Sequence, residues 1–427
     1  MKLQNSLLSL SILFIASISI SASGNVKEDS LMIKAAAVKS MAEDLIKKGF
    51  NAGDGYGEVW IRDMNTFIEV SCKVNDKAVI KKHLITFFQF QQPDGGILDG
   101  YVPNPKGSGI DYKYYHTKLA PGYAGHKNTV ETDQESSLVQ AVAKYIKSTG
   151  DKSILKDTVA GITIQKHLEE AMQFLLKQRF DEKYGLIWGA TTADWGDVQP
   201  EHEWGVEIDA NTHKAIDIYD NAMFVIAIND FLGFATITQK ENAYWTGVRN
   251  QLQKNIRKHL WDSKQQKYKA HIYLNGSPFP ASFDESKVYY HGGTTIAIEA
   301  GLLSKAEVKA AYLKMQANVK AANAATIGLT LYPVYPKGLF KNSWMVPYYY
   351  QNGGDWTWFG GRTVIQLVRY GLLKEAKEAL KPMLERVIKN KGFYEWYTPE
   401  NKAMGSSSFR GEAGVLWTAI SDLEKKS

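Results

Sequence analysis

A single cysteine, Cys72, stands in 427 residues, so no disulfide can form within the chain and packing alone must hold the fold. Basic runs are missing as well. The 51 Lys and Arg residues are spread singly among 45 acidic ones, and a net charge of +6 without a patch speaks against a nucleic-acid partner. Apart from Leu7 to Ile20 no stretch approaches the about 20 apolar residues of a membrane span. The nine His residues show no HExxH spacing, so no metal is expected, and no G-x-S-x-G elbow or phosphate loop occurs. Cys72 falls at the end of a helical stretch and is expected to be buried rather than nucleophilic.

The apolar run at 7–20 follows Lys2 and precedes the small residues Ser21, Ala22, Ser23 and Gly24. That layout reads as a cleavable secretory signal, so residues 1–24 are expected to be a signal peptide and 25–427 a single exported domain, secreted or periplasmic. No Cys lies near the expected cleavage point, which disfavours a lipid anchor. A secreted chain without disulfides suits a bacterial export compartment.

Apolar spacing of three and four residues predicts helices at 31–49, 60–72, 76–91, 133–149, 164–180, 218–236, 239–261, 292–301, 304–318, 357–371, 373–389 and 411–424. Strand-like alternation is limited to short pieces such as KYKAHIYL at 267–274. The connections carry more information than the helices. Links from even to odd helices are short, except at 150–163. Links from odd to even helices are long, at 92–132, 181–217, 262–291, 319–356 and 390–410. In a ring of helical hairpins alternate connections lie at opposite ends, so the long loops collect on one face, where function is expected. The fold class is therefore all-α, an (α/α)6 toroid of six hairpins. Two separate helical domains are the competing arrangement, but no Pro/Gly/Ser-rich linker divides the chain.

What the sequence has in plenty is aromatics, 11 Trp, 23 Tyr and 17 Phe, and many lie in these loops beside acids. GDGYGEVWIRDMNTF at 53–67 places Trp60, Arg62 and Asp63 at the start of a helix, where an acid can serve only to offset the helix dipole. YGLIWGATTADWGDVQPEHEWG at 184–205 gathers Asp194, Asp197, Glu201 and Glu203 among Trp188, Trp195 and Trp204. Crowded carboxylates against indoles have raised pKa values, as a general acid requires, although a solvated acidic loop would look the same. PYYYQNGGDWTWFGGR at 347–362 combines aromatic faces, Trp356 among them, with the polar groups Gln351, Asn352, Asp355 and Arg362. FYEWYTPENKAMGSSSFRGEAGVLW at 393–417 sets Glu395 between Tyr394 and Trp396, with Arg410 and Glu412 following. Two separated carboxylate clusters on one face are what glycoside hydrolysis needs, one carboxyl to protonate the leaving oxygen and one to activate water or attack.

At these motifs the sequence resembles the six-hairpin, (α/α)6-barrel glycoside hydrolases, which include trehalase, processing α-glucosidase I, the glucosidase of glycogen debranching enzyme and neutral invertase. FYEWY at 393–397 is similar to the family's Phe-x-Glu-x-Tyr, whose Glu is the base, and implies that role for Glu395. YYQNGGDWTW at 349–358 is similar to Tyr-His-Asn-Gly-x-x-Trp-Pro, with Gln351 in place of His and Thr357 in place of Pro. DWGD at 194–197 resembles the Trp-x-Asp segment of the general acid and points to Asp197, with Asp194 as the alternative. WIRD at 60–63 resembles the Trp-x-Arg-Asp element that holds the sugar. The resemblance spans residues 60–397 and implies inversion at an α-linked sugar.

The expected activity is therefore exported glycoside hydrolysis with Asp197 as general acid and Glu395 as general base. Trp60, Arg62, Asp63, Asp194, Trp195, Gln351, Asn352, Asp355, Trp356, Arg362, Trp396 and Arg410 are the expected sugar contacts. The partner is an oligo- or polysaccharide; no cofactor, nucleic acid or membrane anchor is expected, and a monomer is. The alternatives are a non-catalytic carbohydrate-binding protein, or a toroid lyase or epimerase using His116, His126 or His202.

Overall fold

The computed structural model describes residues 30–103, 113–204 and 206–426; the segment read as a signal peptide lies outside the described residues. Twelve α-helices are present among them. These are α1 (30–46), α2 (Ile61–Val74), α3 (Lys77–Gln89), α4 (Gln134–Thr149), α5 (Ile164–Gln178) and α6 (Ile218–Phe234), then α7 (Gln239–Asn255), α8 (His291–Glu299), α9 (Lys305–Ala322), α10 (Thr357–Arg369), α11 (Leu373–Asn390) and α12 (Arg410–Glu424). The even-numbered helices pack in sequence, α2 on α4, α4 on α6, and so on to α12, which closes the ring on α2. They are buried along most of their length, whereas α3, α5, α7, α9 and α11 are buried on one side only. The result is the expected (α/α)6 toroid, an inner ring of six parallel helices inside an outer ring that returns the chain.

Local chemistry separates the two rings. Outer helices mostly begin on their own caps, with capping boxes at Thr238/Glu241 and Ser304/Glu307. Five inner helices begin without a side-chain cap of their own, at Trp60, Asp133, Tyr290, Trp356 and Phe409. Their first-turn N–H groups are left to the loops, and every one of those loops is at the same end.

Three expectations need correction. The helix expected at 239–261 ends as an α-helix at Asn255, gives way to one π-turn at Ile256–Leu260 and becomes a strand at Trp261. Trp261–Asp262 pairs with Lys267–Tyr268, so the apolar period continued past the helix because that hairpin also packs inward. Seven small sheets lie among the described residues, six in the long loops and one in the 150–163 link, more strand than alternation suggested, because each pairing is only two to five residues long. Cys72 is only half-buried in α2, and that burial still pushes its thiol to about 12, which leaves it a poor nucleophile. Among the described residues no helix is long and apolar enough to cross a membrane.

Ring closure depends on backbone contact. A Cβ at Gly414 of α12 would lie 2.5 Å from the Phe67 Cα of α2. Gly414→Ala should therefore destabilise by about 1–3 kcal/mol through overpacking. Gly247→Ala, in α7 with nothing within 4 Å of the added carbon, should stabilise by roughly 0.5–1 kcal/mol. Urea unfolding of both variants checks the pair, and equal effects would remove the argument.

Candidate active site

The end of the toroid that collects the helix N-termini holds a cavity of about 260 Å³, near the small end of the roughly 300–1,000 Å³ usual for ligand sites. Asp197 and Glu395 both line it, and so do Trp60, Arg62, Asp63, Trp195, Gln351 and Trp356 of the expected sugar contacts.

Glu395 sits on the strand Tyr394–Tyr397, paired with Ala403–Ser407. Its Oε2 accepts from the Ser406 backbone N–H at 2.8 Å and from the Tyr56 hydroxyl at 2.8 Å. Two loops from opposite ends of the chain make this clasp. The Gly55 N–H donates to Ser406 Oγ at 2.9 Å, and the Ser407 and Ser408 hydroxyls donate to Asp54 at 3.0 and 2.6 Å. Gly405 adopts φ +68°, and a Cβ there would meet Glu395 Oε2 at 2.4 Å, so this turn requires glycine. Burial raises the Glu395 carboxyl to about 7, against the pull of the Ser406 and Tyr56 donors.

Asp197 enters from the loop between α5 and α6. Gln351 Oε1 accepts from the Asp197 backbone N–H at 3.3 Å, which turns Gln351 Nε2 toward the Asp197 carboxylate, where it donates to Oδ1. The Tyr350 hydroxyl reaches Oδ2 at 3.3 Å. Gln351, the departure from the family pattern, thus grips the candidate acid directly. Burial raises the Asp197 pKa, with Arg62 and the Tyr350 bond opposing it. Both carboxyls are raised, where only that of Asp197 was expected to be, because the cavity walls desolvate both, Glu395 buried and Asp197 partly so.

The cavity floor is polar. Arg62 bonds Asp133 through Nε at 2.8 Å and Glu131 through Nη2 at 3.1 Å, and the Tyr219 hydroxyl donates to Asp133 at 2.7 Å. Burial drives Asp63 to about 7, with Arg62 pulling the other way. Asp99 is held by His126 Nδ1 at 3.0 Å, and Asn128 and Gln134 each donate to Glu131 at 3.2 Å.

Six expected contacts do not line the cavity. Asp194 accepts from the Gly292 and Gly293 N–H groups at 2.7 Å each and so caps α8 from another loop. Asp355 is held by both terminal nitrogens of Arg386 at 2.9 and 2.8 Å, behind the strand of Glu395. Asn352 braces the loop through Tyr335 and Met345. Arg362 pairs with Glu299 at 3.3 Å, Arg410 bonds the Asn51 carbonyl at 2.7 Å, and Trp396 is fully buried against Tyr349. Each belongs to a motif that reaches the cavity, but its side chain faces the other way.

Sequence reading missed Tyr56, Asp99, Asn128, Glu131 and Gln134 as cavity residues. A signal was available for the last three. NTVETDQ at 128–134 puts acids and amides just ahead of an inner helix, as WIRD does. Asp99 and Tyr56 lie in Gly/Asp-rich loops with no pattern to set them apart.

Solved structures with the same fold include the GH63 mannosylglycerate hydrolase of Thermus thermophilus in complex with glucose, at TM-score 0.64 and 14% identity, covering 89% of this chain and 100% of that one. An uncharacterized conserved protein from Thermus thermophilus gives 0.63 and 13%, covering 89% and 99%. The rhamnosidase from Klebsiella oxytoca with rhamnose bound gives 0.59 and 12%, covering 90% and 63%. At such identities the likeness speaks for the toroid alone. No curated protein matches the sequence. The sequence does match the glycosyl hydrolase 94 superfamily, catalytic domain, over residues 32–419. That match takes in every loop that builds the cavity, and the chain belongs to the glycosyl hydrolase 94 superfamily as a glycoside hydrolase of the six-hairpin type.

Proposed function

We propose that this exported enzyme hydrolyses a glycosidic bond in a single displacement with inversion, Asp197 acting as general acid and Glu395 as general base. The observation that carries the reading is that these two carboxyls, from loops far apart in the chain, share one cavity and are each gripped by dedicated donors. Export rests on the N-terminal sequence, and an α-linkage on the motifs.

Glu395 Oε2 already accepts two hydrogen bonds, so Oε1 is the oxygen with a lone pair for water. Water attacks the anomeric carbon as its proton passes to Oε1. The bond from that carbon to the leaving oxygen breaks as Asp197 gives that oxygen its proton. Asp197 ends ionised and Glu395 protonated, and solvent exchange restores both. The carboxylates and amides of the floor, Asp63, Asp99, Asn128 and Gln134, are acceptors and donors suited to sugar hydroxyls.

Proton NMR of the first-formed sugar, across a panel of α- and β-linked disaccharides, tests the mechanism and names the substrate. The new anomer should have the opposite configuration to the substrate, and a retained one overturns the single displacement. Glu395→Gln and Asp197→Asn should each lower kcat by roughly 10²–10⁴ while sugar binding, read by calorimetry, persists. Turnover left intact in either variant removes that residue from its role.

Activity against pH should be bell-shaped. The base works ionised, so activity falls as pH drops through the Glu395 pKa of about 7. The acid works protonated, so activity falls again as pH rises through the elevated pKa of Asp197. The Tyr56 hydroxyl favours ionised Glu395, so Tyr56→Phe should move the acidic limb to higher pH and lower kcat more than it changes KM. An acidic limb that stays in place would show that Tyr56 does not tune the base.

A further inference from the structure

Two indoles at the cavity mouth take no part in the reaction just described. Trp204 is 40% exposed and Trp344 41%, and their rings meet edge to face with centroids 5.6 Å apart. Both line the cavity. They are held in place rather than loose. The Lys341 N–H donates to the Pro200 carbonyl at 3.0 Å, Asn342 Nδ2 donates to the Glu203 carbonyl, and the Trp344 N–H donates to Asn342 Oδ1 at 2.8 Å. Two separate loops are thereby joined beneath the pair. An exposed aromatic pair fixed at the rim of a site marks a contact surface.

Their position relative to the acid gives the pair a use. Tyr350 packs against Trp344 with centroids 5.6 Å apart and against Trp204 at 6.2 Å, and the Tyr350 hydroxyl reaches Asp197 Oδ2 at 3.3 Å. Glu395 is hydrogen-bonded by Tyr56 instead, with the Trp60 ring tilted against Tyr56 at 4.5 Å. A general acid must touch the leaving oxygen, so whatever that oxygen belongs to lies on the Asp197 side, against the indoles.

We propose that Trp204 and Trp344 form the leaving-group subsite and that the group they take is an uncharged sugar ring. The inference rests on Asp197 as the acid. The indole faces suit the C–H face of such a ring. Charge excludes the other common class. Among the described cavity-lining residues the only Lys or Arg is Arg62, and it is already engaged by Asp133 and Glu131. Asp63, Asp99, Glu131, Asp197 and Glu395 line the same cavity. A leaving group bearing a carboxylate, such as glycerate, would meet this acidic field without a counter-charge.

The test compares leaving groups in the intact enzyme. The disaccharide that the NMR panel identifies as substrate is set beside the glycosyl fluoride of the same sugar (glucosyl, mannosyl or rhamnosyl), whose leaving group has no ring. Trp204→Ala and Trp344→Ala should lower kcat/KM on the disaccharide roughly 10- to 100-fold, mainly through KM, as loss of a stacked face implies. Hydrolysis of the fluoride should stay within about twofold of the parent. Trp344→Phe should restore much of the disaccharide activity. Equal losses on both substrates, or faster parent turnover of the glycerate glycoside than of the disaccharide, would overturn the proposal. Asp197→Asn is run alongside. If it remains active, the acid assignment fails and takes the subsite with it. If it is inactive while both Trp variants behave like the parent, the subsite alone fails.

Discussion

Six helices that run parallel in one ring must end together, and this fold depends on what that does to one face. The N-termini of α2, α4, α6, α8, α10 and α12 turn the positive ends of six dipoles to the same small volume, and all but α6, which Asp217 caps, begin without a side-chain cap of their own. Carboxylates are the natural partners. Asp63, Glu135, Asp220 and Glu412 stand in first turns, and Asp194 reaches α8 from a neighbouring loop. A fold that concentrates acids in this way and then covers them with aromatics also raises their pKa values, because burial penalises the charged form more than the dipoles relieve it. Acids near neutrality at this face, Glu395, Asp63 and Glu412 at about 7, follow from the architecture before any substrate is considered.

The same crowding requires a rigid frame behind the working groups. Asp355 and Tyr397 exchange backbone hydrogen bonds at 2.9 Å, and the Arg386 guanidinium grips Asp355 while lying 4.0 Å from the Tyr397 ring centroid. Glu412 accepts from the Tyr394 N–H at 2.6 Å and from the Tyr397 hydroxyl at 3.0 Å. The strand carrying Glu395 is therefore fixed to α10, α11 and α12 at once. Glu412, the next carboxylate in the same segment, does not line the cavity and holds this strand instead. The Glu395 carboxyl gains a fixed direction in the cavity from such bracing.

Asp197 is held by more adaptable means. Gln351 spends its carbonyl on the Asp197 N–H and its amide on the carboxylate, so one side chain fixes both the loop and the carboxyl. An amide cannot titrate as the imidazole of the family pattern can, so here the proton balance of the Asp197 carboxyl is left to burial, Arg62 and Tyr350.

The alternation of short and long connections was legible in the sequence, and it was enough to predict the twelve helices, the ring and the face on which the motifs gather. That succeeds because helical period and loop length are local properties, and ring closure leaves few ways to arrange them. The same is true of Trp60, Arg62, Asp63, Trp195, Asp197, Gln351, Trp356 and Glu395, whose motifs open inner helices or the loops beside them, and which all reach the cavity. Which side of each motif faces inward was beyond the sequence. Asp194 and Asp197 are three residues apart in one loop, and a left-handed turn at Asp194, φ 59°, sends the first to cap α8 while the second enters the cavity. Tyr56 acquires its place from Ser406, 350 residues away, and Arg386 from Asp355, partners that no local pattern joins. Residue type and spacing determined which chemistry could assemble on this face. Only the closed ring, by bringing distant loops within hydrogen-bonding reach, decided which carboxyls would enter the cavity and which would brace its walls.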